Sequence, residues 1–160
     1  MSRRWASALC VVLTALAAPV AAQNPKDEVL RAVDDLFKGL RTKDTALVAA
    51  RTDSLTRFTL VRPGPDGPRI TVLSGRDFIR MAGNPAQPPL DEPTRNPVVT
   101  VDGDLATVWT EYQVRRDGQV THCGYDAFHL ARLGGSWKIL NVSDSYRREG
   151  CGGPWPSAQH

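Results

Sequence analysis

Apolar residues along this chain follow two periodicities in turn. From Lys26 to Leu40, Val29, Val33, Leu36, Phe37 and Leu40 recur at helical spacing, with acidic residues near the start. That stripe predicts an amphipathic helix, weakened in its last turn by Gly39. Asp44 is placed to cap a second, shorter helix from Thr45 to Arg51. The pattern then changes to alternation. Thr56 to Val61 and Arg69 to Leu73 read as strands, joined by Pro63-Gly64-Pro65-Asp66-Gly67-Pro68, a composition that suits only a turn. Ser74 caps a short helix from Gly75 to Ala82, and Asn84 to Pro97, with five prolines, reads as a loop. Leu105 to Tyr146 predicts three consecutive antiparallel strands with tight turns at Asp117-Gly118 and Gly134-Gly135. The residues from Glu149 onward, rich in Gly and Pro, predict an irregular tail.

Two helices, a hairpin, a third helix and a long meander make an α+β domain. The natural arrangement is a strongly curved antiparallel sheet whose concave face is closed by the helices.

The turns also set which side chains share a face. With two residues in each, Arg116 opposes Gln119 and Leu133 opposes Ser136. One face then carries Trp109, Glu111 and Gln113 from the first long strand, and His122, Gly124, Asp126 and Phe128 from the second. Trp137, Ile139, Asn141 and Ser143 come from the third. An aromatic and apolar body with a few polar groups is the composition of a ligand pocket. Trp109, Phe128, Trp137 and Asn141 are its expected ligand contacts. If the first turn is one residue longer, Val108, Thr110 and Tyr112 enter the pocket while Trp109 and Glu111 leave it. The opposite face, with Val108, Tyr112, Val114, Tyr125, Leu140, Val142 and Tyr146, is also apolar. A second apolar face predicts a homodimer.

Glu111, His122 and Asp126 are the acid/base candidates. His122 and Asp126 lie about 13 Å apart along one strand, too far for a direct hydrogen bond. Glu111, opposing Gly124, would stand diagonal to both, and Gly124 would leave room for a ligand beside them. A carboxylate buried against Trp109 would have its pKa raised, as a general acid or base requires. Each group also admits a plain structural role as a hydrogen-bonded strand residue or, for the tryptophans, as core. His129 falls on the face opposite His122, so the two cannot share a metal. Neither a metal site nor a cofactor is expected, and no nucleophile elbow, phosphate loop or zinc motif occurs.

Composition adds a compartment. Arg3 and Arg4 precede an apolar run that ends at Val20-Ala21-Ala22, the pattern of a cleaved leader. The run is too short for a membrane span. The expected organisation is a signal peptide over 1–22, a domain over 23–148 and a tail over 149–160, in a periplasmic or secreted protein with no stable membrane anchoring after processing. Cleavage would take the net charge from +3 to +1. That balance gives no reason to expect nucleic acid as a partner, and the Arg115-Arg116 and Arg147-Arg148 pairs read as solvated strand ends. Two cysteines remain, Cys123 and Cys151, and an oxidising compartment favours their pairing. In this register Cys123 opposes Tyr146, so the tail must fold back for Cys151 to reach it.

The layout resembles the nuclear transport factor 2-like superfamily, which includes SnoaL-like polyketide cyclases and ketosteroid isomerase. The likeness covers nearly the whole chain after the leader. It rests on Val29 to Asp44 as an opening helix and its end, on Ala106-Thr107-Val108-Trp109, on His122-Cys123-Gly124-Tyr125-Asp126-Ala127-Phe128, and on Gly135-Ser136-Trp137-Lys138-Ile139. The His-Cys-Gly block and the late Cys151 are similar to an exported bacterial subgroup. The resemblance implies a conical α+β barrel, a pocket inside the cone and frequent dimers. It does not imply one activity. The catalytic positions of ketosteroid isomerase do not map onto this sequence residue by residue. The expected function is binding of a small apolar or amphipathic ligand. The alternative is an acid/base enzyme of the isomerase, polyketide cyclase or dehydratase type using Glu111, His122 and Asp126.

Overall fold

A computed structural model describes residues 24–156. The leader expected over 1–22 and the last four residues of the tail lie outside the described residues. Helix α1 spans Pro25–Thr42 and α2 spans Thr45–Arg51. Strands β1 (Arg57–Arg62) and β2 (Arg69–Ser74) form a hairpin, and α3 (Gly75–Gly83) follows. Strands β3 (Thr94–Asp102), β4 (Leu105–Arg116), β5 (Gln119–Leu133) and β6 (Ser136–Asp144) complete the domain.

Local chemistry fixes the helix ends. The Asn24 side chain accepts from the Lys26 amide, and Pro25 sits where its missing N–H costs nothing. Lys43, at φ 58°, turns the chain out of α1. Asp44 and Ser74 cap α2 and α3 by accepting from the Leu47 and Asp77 amides. Each such cap contributes about 1 kcal/mol.

The strands order as β2-β1-β6-β5-β4-β3. All neighbours are antiparallel except β1 and β6, which run parallel. The α+β class and helix-covered curved sheet are as expected, but the sheet is open, with β2 and β3 at its edges, rather than a closed barrel. Strand β3 is an addition to the sequence reading, which took its first residues for loop. Pro97 is accommodated because β3 is an edge strand and its ladder to β4 shifts between Arg95 and Val98, where Asn96 adopts φ 52°.

Both long hairpins close with the expected two-residue turns, since Arg116 opposes Gln119 and Leu133 opposes Ser136. Each then slips once. Arg115 pairs with Val120 but Val114 pairs with His122, so Thr121 is an extra residue in β5. Its hydroxyl donates to the Val114 carbonyl at 3.1 Å. Leu140 is the corresponding extra residue in β6, between the pairs Leu130–Ile139 and His129–Asn141. A one-residue slip exchanges the faces of everything beyond it. Val108, Thr110, Tyr112 and Val114 therefore point to the concave side with His122, Asp126 and Phe128, and Val142 and Asp144 join them. Trp109, Glu111, Asn141 and Ser143 turn to the convex side. The outcome is the alternative face assignment for β4, produced by a bulge and not by a longer turn.

The core fills the space between helices and concave face. Val29, Ala32, Val33, Leu36, Phe37 and Leu40 of α1 are buried against Val108, Phe128, Leu130, Ile139 and Val142. Phe37 meets Phe128 edge-on at 6.0 Å, and Phe58 stacks on Phe78 at 3.6 Å. Each such aromatic contributes about 1.5–3 kcal/mol by burial. Among the described residues, no helix is long and apolar enough to cross a membrane.

Candidate functional site

Between α1, α3 and the concave face lies a cavity of ≈ 170 Å³. Its body is apolar, with Leu36, Phe37, Leu40, Phe58, Phe78 and Phe128 among its walls. One end is polar and draws six side chains from five places: Arg62 of β1, Glu92 from the segment before β3, Tyr112 of β4, His122 and Asp126 of β5, and Asp144 of β6.

Register explains the convergence. Asp126 and Asp144 are direct cross-strand partners, and Thr110 opposes Asp126 on the other side. Like charges at such a pair repel, so two carboxylates cannot both ionise there without help. Asp144 has that help. Arg62 donates two hydrogen bonds to it, at 2.7 and 2.6 Å, in a fork-to-fork pair. Asp126 has no such partner. It is 2% exposed, and its Oδ2 is buried without a hydrogen bond. Burial first, then Glu92 and Asp144, push its carboxyl well above the usual carboxylate range. Glu92 is pushed up to about 8, by burial and then by Asp144. Burial thus favours the protonated form of both, while Asp144 stays paired with Arg62.

The surrounding groups sharpen the contrast. Tyr112 is fully buried, donates to the Ser145 carbonyl at 2.6 Å, and has its own ionisation suppressed by burial and the nearby carboxyls. His122 packs against the Tyr146 ring at 4.6 Å, with its Nδ1 3.0 Å from the Thr121 hydroxyl. Burial and the Arg62 charge lower its pKa, leaving it neutral. His122 and Asp126 thus line one cavity four residues apart on β5, each shifted toward its neutral form. Among the described residues, no cluster of His, Cys, Asp and Glu is arranged to hold a metal.

Of the residues singled out from sequence, His122, Asp126 and Phe128 meet in this cavity. The others do not. Glu111 lies on the convex side, where it accepts from Arg95 at 2.9 and 2.7 Å and from Asn96 at 2.9 Å. Those bonds hold its pKa below the usual range. Trp109 is 51% exposed and stacks on Tyr125 at 5.1 Å. Asn141 donates to the Ser143 hydroxyl on the same outer side. Trp137 faces inward but belongs to the packed core, its indole N–H reaching Glu28 at 3.3 Å. Gly124 makes no room for a ligand either. A Cβ there would drive into the Ser145 carbonyl and lie 2.8 Å from Tyr112, so the chain itself uses the space.

Arg62, Glu92 and Asp144 were not foreseen, and Tyr112 was foreseen only in the alternative face assignment. Tyr112 and Asp144 were displaced by the two bulges. Arg62 and Glu92 come from segments whose place beside the meander no local pattern specifies.

The convex side near the carboxyl end is closed by the tail. Cys123 and Cys151 form a disulfide, with Cα atoms 5.6 Å apart. The Leu140 bulge makes Arg147, not Tyr146, the residue bridging Cys123. Gln113, fully buried, donates to the Cys151 and Gly153 carbonyls and accepts from the Trp155 amide. Trp155 in turn lies against the Arg95 guanidinium at 3.8 Å. Arg115 is not a solvated strand end. It is 8% exposed and paired with Asp91 and the Trp155 carbonyl.

No protein-family model and no curated protein sequence matches this chain. Solved structures do. A nuclear transport factor 2-like protein from Cytophaga hutchinsonii superposes with a TM-score of 0.65 at 12% identity, over 78% of this chain and 100% of that one. The hub of the kinase CaMKII from S. rosetta gives 0.62 at 17% identity, over 79% and 100%. A candidate ketosteroid isomerase from Parabacteroides distasonis gives 0.58 at 16% identity, over 79% and 91%. These likenesses establish the nuclear transport factor 2-like fold.

Proposed function

We propose that this nuclear transport factor 2-like fold holds a small, largely apolar molecule in its concave cavity, with the molecule's polar end against Asp126. The carrying observation is the Asp126 carboxyl oxygen, buried and unpartnered at the polar end of an apolar chamber. Leaving such an oxygen unsatisfied costs about 1–3 kcal/mol, which a ligand atom can recover. The volume suits a single-ring compound, since an apolar cavity of about 150 Å³ takes up benzene. The disulfide favours a compartment that oxidises thiols, and periplasmic or secreted placement follows from it together with the leader pattern.

The test is native mass spectrometry of the protein purified from its own host, followed by ligand-observed NMR with single-ring compounds. A co-purified molecule, or binding abolished by filling the chamber with Val142→Phe, supports the reading. Absence of both overturns it.

A second reading is favoured by one observation, that His122 and Asp126 line the same cavity with both shifted toward their neutral forms. Here the pair performs proton transfer on a bound substrate, in an isomerase, cyclase or dehydratase reaction. Glu111 is outside this chemistry by position. Its test is turnover that disappears in both His122→Ala and Asp126→Asn while binding persists.

We also propose that the convex side meets a second copy of the chain. Val98, Leu105 and Trp109 are exposed there at 63%, 55% and 51%. Val108, Tyr112, Val114 and Val142, first assigned to that interface, are concave-side residues.

A further inference from the structure

We infer that the cavity selects small arylalkylamines, taking the protonated amine at Asp126 and Glu92 and the ring among Phe37, Phe58 and Phe128. This rests on the reading of the cavity as a ligand site and names the ligand's class.

Three carboxyl groups, Glu92, Asp126 and Asp144, line the polar end with a single guanidinium, Arg62. Both Arg62 branches are engaged by Asp144 at 2.7 and 2.6 Å. Asp126 faces Asp144 directly across β5 and β6 and retains a buried oxygen with no donor. The remaining groups around it supply no second cation. Tyr112 is a neutral phenol committed to Ser145, and His122 is neutral under the influence of burial and Arg62. Arg148 donates to the Tyr146 hydroxyl at 2.7 Å and is exposed at the rim, where salt screens it. Two carboxyls, Asp126 and Glu92, therefore have no cation of their own. An ammonium group has three donors and no acceptor, so it supplies the donor that the buried Asp126 oxygen lacks and has others to offer Glu92. A carbonyl oxygen can accept from one acid but brings no donor to the unpartnered Asp126 oxygen, and an alcohol brings one donor against the ammonium's three. An anion adds to the crowding of carboxyls.

Proton balance follows. In the empty site Asp126 and Glu92 keep their protons. Binding an ammonium ionises one of them, and that proton leaves to solvent. Affinity for the amine therefore rises as pH is raised toward about 8, where Glu92 titrates. A ligand that needs the protonated acid shows the reverse.

The experiment is isothermal titration of the disulfide-bonded protein with phenethylamine, phenethyl alcohol and phenylacetate, near the same size but cationic, neutral and anionic. It is run at acidic and neutral pH in buffers of different ionisation enthalpy. The expected result is an amine preference of about tenfold or more over the alcohol, as a charged hydrogen bond in a dry site provides. Proton release on binding accompanies it, and the preference is lost in Asp126→Asn. Glu92→Gln reports the same charge should Asp126→Asn not fold. Alcohol or phenylacetate binding as tightly as the amine overturns the inference and leaves the ligand site standing. If none of the three binds, the inference is overturned, and the ligand-site reading is decided separately by native mass spectrometry.

Discussion

Asp126 and Glu111 stand one register step apart, on opposite faces of the same hairpin, for Asp126 opposes Thr110 and Glu111 opposes Tyr125. Their environments are opposites. Glu111 is met by three donor atoms from Arg95 and Asn96 on the solvent side and ionises more readily than usual. Asp126 is 2% exposed, faces two other carboxyls and keeps an oxygen unbonded. Glu111 is the better bonded residue, and for that reason the less interesting one chemically. A carboxylate whose acceptor sites are filled is finished as structure. One denied both water and donors holds unspent capacity for interaction. The sequence places both in the same short stretch, and only the pairing separates them.

The largest expected effect concerns what anchors the convex side. Replacing Cys123 and Cys151 together by Ser opens a link across 28 residues. Chain entropy puts the loss at about 3–4 kcal/mol. Urea unfolding of the variant and of reduced wild-type protein should show the same fall, and equal midpoints with and without reductant would mean the tail is not held this way.

Next is the pH dependence of stability, where the two faces should have opposite slopes. Asp126 and Glu92 have folded pKa values above their unfolded ones, so the folded state binds more protons between the two. Their contribution is full below the unfolded carboxyl values and is lost as pH rises through the folded ones, about 8 for Glu92. Glu111 is depressed, so its contribution is present above its unfolded pKa and is lost as pH falls through the folded one. Asp126→Asn combined with Glu92→Gln should flatten the decline toward alkaline pH in thermal melts. Glu111→Gln should leave that decline and remove part of the acid limb. A decline unchanged by the double variant would show that neither group is held protonated.

Single amide replacements give smaller differences. Glu111→Gln should cost about 0.5–1 kcal/mol at neutral pH, the range for an exposed ion pair. Asp126→Asn, which replaces one neutral group by another, should cost less at acidic pH than Glu111→Gln costs at neutral pH. Smallest for the fold is Trp109→Ser. It should leave the monomer's melting midpoint nearly unchanged, since Trp109 is 51% exposed. Sedimentation should nevertheless show the dimer weakened, and an unchanged sedimentation profile for a dimeric wild type would place the interface elsewhere.

Much of the fold was legible because it is written locally. The caps Asp44 and Ser74, the stripe of α1 and the Gly-containing turns each depend on residues within a few positions. The disulfide was legible as well, since composition left only two cysteines in the expected processed chain. Strand β3 was hidden by Pro97, which a central strand would exclude and an edge bulge admits. The site was half legible. His122, Asp126 and Phe128 follow from alternation along one strand, because parity within a strand survives any slip between strands. Their partners do not. Tyr112 and Asp144 depend on bulges at Thr121 and Leu140, and nothing in those two residues marks an insertion.

The Thr121 bulge also bears on how the hairpin assembles in time. The first pairs beyond the turn, Arg116 with Gln119 and Arg115 with Val120, are common to the bulged and unbulged ladders. The chain commits at the next step, when Val114 takes either Thr121 or His122. Both outcomes present coherent apolar faces, so a zipping hairpin meets two locally acceptable routes that diverge at one residue. Only later contacts, Tyr112 with Ser145 and Asp126 beside Asp144, reward the bulged route. The concave chamber is thus a late judge of an early choice. Deleting Thr121 would remove that choice: Val114 could meet only His122, and an unbulged ladder would carry Tyr112 and Thr110 to the same chamber beside Asp126.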